Sequence, residues 1–133
     1  MSGMSSTYPT LHIVTGPPGS GKTTFAETKN VPIYDNDLGN LREWISMPPH
    51  EAVLTVTAPQ ERKKSYWMSI AKQNGYVPKL YCIWLSKMEA HQRASMRPVR
   101  NDKRTFDWIK YWFKNYTRHP QEERITNVRS AAS

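Results

Sequence analysis

Short blocks of apolar residues recur along this chain, and their period switches between that of a strand and that of a helix. Leu11-His12-Ile13-Val14-Thr15 is an apolar run with a β-branched end and predicts a strand over 10–15. After a glycine-rich stretch, Thr24-Phe25-Ala26-Glu27-Thr28-Lys29 is compatible with a helix, placed over 21–29. Val31-Pro32-Ile33-Tyr34 reads as a second strand, ending in Asp35-Asn36-Asp37. Leu38, Leu41 and Ile45 then recur at i, i+3 and i+7, which predicts a helix capped by Asn36 or Asp37 and ended by Met47-Pro48-Pro49. Residues 52–57 form the third strand. Thr57-Ala58-Pro59-Gln60 has the spacing of a capping box, opening a helix that runs to about Asn74 with Gly75 as its stop. Residues 79–85 form a fourth strand, and Ser86-Lys87-Met88-Glu89 is a second capping box, whose helix Pro98 must end.

A polar, basic loop, 100–104, leads into a last helix over 105–118. Phe106, Ile109, Phe113 and Tyr116 make its core stripe, while Trp108 and Tyr111 fall outside it. Segments 1–9 and 119–133 are polar and expected to be flexible tails. Strands alternating with helices imply an α/β domain with parallel pairing and right-handed crossovers. The expectation is one domain over 1–133, with a short sheet of about four strands between helical layers. Ligand sites in such sheets lie beyond the carboxyl ends of the strands. The glycine stretch, Asp35/Asp37 and Thr55/Thr57 all follow or end strands, so they converge on one cleft.

Composition narrows the class. At 133 residues, with five tryptophans and seven tyrosines, the chain is long enough for a core. No apolar run is long enough to span a membrane, and 1–7 lacks the marks of a secretory leader. The single cysteine, Cys82, lies in an apolar run and reads as a core thiol; the four histidines are scattered and imply no zinc site. A cytoplasmic location fits. A net charge of +8 exceeds what a nucleotide needs and favours a polyanionic partner, nucleic acid first, over a merely solvated basic surface.

The most specific feature is Gly16-Pro17-Pro18-Gly19-Ser20-Gly21-Lys22-Thr23-Thr24, whose first eight residues match G-x-x-x-x-G-K-[ST] between a strand and a helix. Gly16, Gly19, Ser20 and Gly21 let successive backbone N–H groups turn inward on phosphate oxygens. Lys22 reaches the β- and γ-phosphates, and Thr23, followed by Thr24, holds Mg²⁺ with its hydroxyl. ATP and Mg²⁺ are the implied cofactors.

Asp35 and Asp37 are the candidates for the acceptor side. One carboxylate orients or deprotonates a hydroxyl, and another supports the metal through water. Asp37 is the first choice for the hydroxyl because it lies further past the strand, and Asp35 for the metal; plain helix capping is the competing reading. The third strand ends in threonines where a motor-type ATPase carries an acid, which argues for a kinase. Arg93 and Arg97, at i and i+4, share a helix face and read as lid arginines over the phosphates, with 86–104 as the lid. Arg100, Lys103 and Arg104 add positive charge there. Lys110, Lys114 and Arg118 form a basic row beside Trp108 and Tyr111, a combination that can stack bases and hold backbone phosphates.

Taken together, these residues resemble the P-loop kinases that include phage polynucleotide 5′-hydroxyl kinases, with the gluconate kinase-like enzymes as cousins. The resemblance covers roughly 10–118. It rests on Gly16–Thr24, Asp35/Asp37 with Arg42, and the unit Leu54-Thr55-Val56-Thr57…Glu61-Arg62…Trp67…Ala71…Gly75-Tyr76, then Trp84-Leu85 and Arg93-x-x-x-Arg97. It implies a 2-3-1-4-like strand order, an acid after strand 2 as base, and a helical lid bearing arginines. Two departures stand out: polynucleotide kinases of this type often place an Asp where Thr55 or Thr57 stands, and no fifth strand is evident. The implied activity is transfer of the γ-phosphate of ATP to a hydroxyl of a nucleic acid or nucleotide-like acceptor. A small-metabolite kinase (nucleoside, nucleotide or sugar) and a nucleotide-dependent assembly protein with little turnover are the alternatives.

Overall fold

The computed structural model describes residues 8–35, 50–96 and 103–126. Asp37, Arg42 and the helix expected on Leu38, Leu41 and Ile45 lie outside these residues, as do Arg97, Pro98, Arg100 and the segments 1–7 and 127–133. The elements are β1 (Thr10–Thr15), α1 (Lys22–Glu27), β2 (Ile33–Asp35), β3 (Ala52–Val56), α2 (Glu61–Gln73), β4 (Val77–Ile83), α3 (Lys87–Ser95), α4 (Lys103–Asn115) and β5 (Glu123–Ile125).

The strands form one parallel sheet in the order β2-β3-β1-β4-β5. The expected 2-3-1-4 order is present, with a fifth strand added at the edge. β1 lies at the centre, flanked by β3 (Ile13 opposite Leu54) and β4 (Ile13 opposite Leu80). Both faces are covered, which is why β1 and β3 read as nearly continuous apolar runs. On one face Leu11, Ile13, Leu54, Val56 and Leu80 pack against Met68 and Ala71 of α2. On the other, Val14, Val53, Tyr81 and Ile83 pack against Ala26 and Phe25 of α1. A separate cluster joins α3 to α4 through Leu85, Ala90, Ala94 and Ile109, with Phe106 and Phe113 against it.

Local chemistry sets the helix ends. Ser86 caps α3, accepting a hydrogen bond from the Glu89 N–H at 3.0 Å. Gly75, at φ +86°, ends α2; the Tyr76 N–H bonds the Ala71 carbonyl and the Gly75 N–H bonds that of Lys72, which is the Schellman arrangement.

Four expectations are corrected. The sheet has five strands, because Glu123–Ile125 pairs with Tyr81–Ile83 although it is short and mostly polar. Residues 119–126 are therefore built into the fold, with His119 and Glu122 buried, and are not a flexible tail. Thr57 does not cap α2, which starts at Glu61. The Glu61 N–H instead donates to the hydroxyl of Thr117 at 2.6 Å, far along the chain. Finally, the last helix starts at Lys103, so Lys103 and Arg104 are helical and not part of a loop, and Trp112, left out of the core stripe, is fully buried. Trp112 stacks on Tyr116, with ring centroids 5.1 Å apart.

Candidate functional site

The glycine-rich loop follows the carboxyl end of β1, at the middle of the sheet. Its glycines have backbone conformations that L side chains rarely adopt: φ is +157° at Gly16, +77° at Gly19 and +99° at Gly21. Space is as tight as torsion. A Cβ on Gly16 would lie 2.7 Å from Ser20 Oγ, 3.1 Å from Ile83 Cβ and 3.3 Å from the Ile83 carbonyl oxygen. The Ser20 N–H closes the loop onto the Pro17 carbonyl at 3.1 Å.

Lys22 opens α1 and turns back over the loop. Its Nζ donates to the carbonyls of Gly16 and Pro17, at 2.9 and 3.1 Å. Ser20 Oγ is buried with no hydrogen-bond partner, so the loop holds a polar atom that its own residues leave unsatisfied. Thr23 is exposed, and Thr24 is partly buried beside it on the first turn of α1. Bent backbone, crowded glycine, orphaned hydroxyl and adjacent ammonium fit a polyphosphate.

Asp35 is the last residue of β2, partly buried, directly opposite Thr55 of β3. The register places Asp35, Thr55 and Val14 in one row, on the face that α1 covers. Thr55 Oγ1 is buried without a partner. The sheet thus sets a hydroxyl on the strand next to the loop's own and a carboxylate on the strand beyond it, as the order of strands implied. Among the described residues, no three His, Cys, Asp or Glu side chains converge to form a metal cage.

Arg93, on α3, is brought to the loop. One guanidinium nitrogen donates to the Ser20 carbonyl at 3.0 Å, and another to Glu89, one turn back, at 2.7 Å. Glu89 thus splints the arginine while its own backbone N–H serves the Ser86 cap. Between this contact and β5 lies a polar cavity of about 80 Å³, lined by Ser20, Trp84, Arg93 and Thr126 among others.

A buried polar cluster that sequence reasoning missed joins α2 to the segment that leads into β5. Lys64 of α2 and Glu122, just before β5, pair at 2.7 Å with both side chains fully buried. Lys64 also donates to the Thr117 carbonyl at 3.0 Å. Glu122 accepts from the Tyr116 hydroxyl at 2.5 Å and from the His119 N–H at 3.0 Å. The His119 Nδ1 accepts from the Gln121 N–H, which leaves its Nε2 to face Ser65 Oγ at 3.1 Å. Burial alone pushes the Glu122 carboxyl up, but the His119 N–H, the Lys64 ammonium and the Tyr116 hydroxyl outweigh it and hold the group below the usual value. Burial, then the bond to Glu122, pushes the Tyr116 hydroxyl up to about 12. Burial, reinforced by the Glu122 charge, pushes the nearby Cys82 thiol up to about 11. One signal did exist: Lys64 shares a helix face with Met68 and Ala71, a core position that a lysine occupies only when it has a partner.

With this geometry in hand, the chain can be set beside solved structures. It is similar to a gluconokinase from Sinorhizobium meliloti 1021, with a TM-score of 0.64 and 12% identity over 94% of this chain and 86% of that one. It has a P-loop kinase-like fold. A sugar kinase from Janibacter sp. HTCC2649 aligns with a TM-score of 0.66 and 14% identity, over 90% of this chain and 84% of that one. No protein-family model matches the chain, and no curated protein matches it in sequence. The similarity is thus to metabolite kinases, and the kinase-like fold stands without support for the phage polynucleotide kinase group. No described helix is long and apolar enough to cross a membrane.

Proposed function

We propose that this protein is an ATP-dependent phosphotransferase that moves the γ-phosphate to a hydroxyl of a small metabolite. The observation that carries the reading is the loop at 16–24: its glycines, Ser20 Oγ and Lys22 form a polyphosphate cradle at the centre of a kinase-like sheet. The two solved structures it resembles are described as a gluconokinase and a sugar kinase, which favours a sugar-like or sugar-acid acceptor. Absence of an acid at the end of β3 is in keeping with this, because Thr55 and Thr57 stand there as hydroxyls.

In this reading Lys22 exchanges its two carbonyl partners for phosphate oxygens and neutralises charge that builds on the transferring group. Thr23 holds Mg²⁺ together with the nucleotide's own oxygens, and Asp35 supports the metal's water shell. The acceptor hydroxyl is oriented by a carboxylate beyond β2, Asp37 first and Asp35 second. Arg93 and Arg97 neutralise the phosphoryl group from the lid side. In this reading Arg93 leaves the Ser20 carbonyl for the phosphates when ATP enters. A single buried cysteine suits the reducing cytosol.

The test is a panel of sugars, sugar acids, nucleosides, nucleoside monophosphates and 5′-hydroxyl oligonucleotides, each incubated with γ-labelled ATP and Mg²⁺. Label transfer to a sugar-like hydroxyl supports the proposal. Transfer only to oligonucleotides supports the second reading, a nucleic-acid acceptor, which the basic and aromatic outer face of α4 favours. ATP binding with no acceptor-dependent ADP release sinks both, and leaves a nucleotide-dependent assembly protein.

A further inference from the structure

The inner side of α4 is fully used: Ile109 and Trp112 are buried, and Phe106 and Phe113 pack on the α3 cluster. Its outer side is unlike an ordinary solvated helix face. Trp108 and Tyr111, nearly one turn apart, are 48% and 37% exposed and stand edge to face with ring centroids 5.4 Å apart. With Arg104 and Asp107 they line an open groove of about 440 Å³, inside the range of about 300–1,000 Å³ that holds small organic groups. Lys110 and Lys114 are exposed on the same helix. Its described outer side chains therefore carry three positive charges to one negative, on a chain of net charge +8.

We propose that this face of α4 binds single-stranded nucleic acid, with bases stacked on Trp108 and Tyr111 and backbone phosphates held by Arg104, Lys110 and Lys114. An isolated exposed aromatic is ordinary. Two adjoining aromatics in an open groove with Arg104 beside them, on a helix whose outer side is net positive, match a flat, apolar base with an anion on its edge. A purely apolar partner would leave the cations unanswered, and a duplex would hide its base faces from the rings. The surface is independent of the phosphate loop, so the inference stands whether or not the kinase reading does.

The experiment titrates a fluorescently labelled oligothymidylate and an oligoadenylate into the full chain, without ATP, and reads anisotropy across a salt series. The expected result is binding that weakens as salt rises, with each phosphate-contacting lysine contributing about 0.7 to the log–log slope. Trp108→Ala and Tyr111→Ala each weaken binding roughly 5- to 150-fold, while Trp108→Phe retains most of it. Lys110→Gln with Lys114→Gln flattens the salt slope. Unchanged circular dichroism and an unchanged ATP titration show that the variants remain folded. Three outcomes overturn the proposal: no oligonucleotide binding at low salt; equal binding by Trp108→Ala, which would mean charge alone; or self-association or acidic-peptide binding, sensitive to Trp108→Ala, in place of oligonucleotide binding.

Discussion

Replacing Lys64 by methionine separates the buried ion pair from everything around it. The substitution keeps most of the side-chain volume and removes one ammonium. Glu122 is then left fully buried with the Tyr116 hydroxyl and the His119 N–H as donors, and the Thr117 carbonyl loses its partner. Breaking such a pair from one side costs about 3–5 kcal/mol, because a charge is stranded out of water. Against a total stability of about 5–15 kcal/mol that is a large share, and it corresponds to a fall in Tm of roughly 10–20 °C. The pH dependence makes the prediction sharper. In the wild type the Glu122 pKa is depressed on folding, so its contribution is present above the unfolded value and is lost as pH falls through the folded one. In Lys64→Met burial prevails, the folded pKa is raised, and stability is lost as pH rises. The gap between the two proteins is therefore widest near neutrality and narrows on acidification. Urea unfolding at neutral and mildly acidic pH measures it, and Lys64→Met with Glu122→Gln, which removes both charges and keeps an acceptor for Tyr116 and His119, recovers most of the loss. A cost below about 1 kcal/mol, or a gap that does not change with pH, refutes the reasoning.

Gly16→Ala forces a Cβ against Ser20 and Ile83 at a positive φ; torsional strain of about 1–3 kcal/mol and overpacking of similar size should distort the loop and abolish ATP binding in a calorimetric titration, whereas tight binding would show that the loop yields. Arg93→Ala frees α3 from the Ser20 carbonyl; under the proposed kinase reading, steady-state kinetics should show kcat falling more than ATP affinity, and a change in affinity alone would place Arg93 in the ground state only. The Cys82 thiol, pushed up to about 11 in the core, should resist a thiol-reactive dye in the folded protein and react at once in urea. Tyr116, raised to about 12, adds stability that is complete below the unfolded tyrosine value near 10 and drains away as pH climbs through the folded one, so the stability lead of the wild type over Tyr116→Phe in urea unfolding should narrow as pH rises above about 10.

What could be read in advance was what local chemistry dictates. The bend of the glycine-rich loop was legible because a backbone at positive φ requires glycine at those places, and β1 and β3 because strands buried on both faces are largely apolar. Ser86 and Gly75 announced helix ends for equally local reasons. The misses share the opposite cause. β5 is a strand only because β4 offers it an edge, and Glu-Arg-Ile carries no strand signal of its own. The start of α2 is met by Thr117, a partner no local window contains. Trp112 lies outside a single helical stripe because α4 is buried over a wider arc, with Trp112 stacked on Tyr116. Lys64 stands at a core position of its helix, but Glu122, the acid that answers it, is distant in sequence and meets it only once the fold closes.

The central position of β1 has a consequence in time. The glycine-rich loop is synthesised before both strands that flank its own, β3 and β4, and before β5, which closes the described sheet on the β4 side. Pairings of such long sequence separation are slow, because chain entropy must be lost before the contacts form. The loop is thus made before the strands that fix it and takes its shape only after they pair. A fragment ending before β3 would contain every residue of the loop and neither of the strands that hold it. A chain interrupted before Glu122 would leave Lys64 with no acid to meet in the core, exposing a nearly complete sheet to aggregation at its β4 edge.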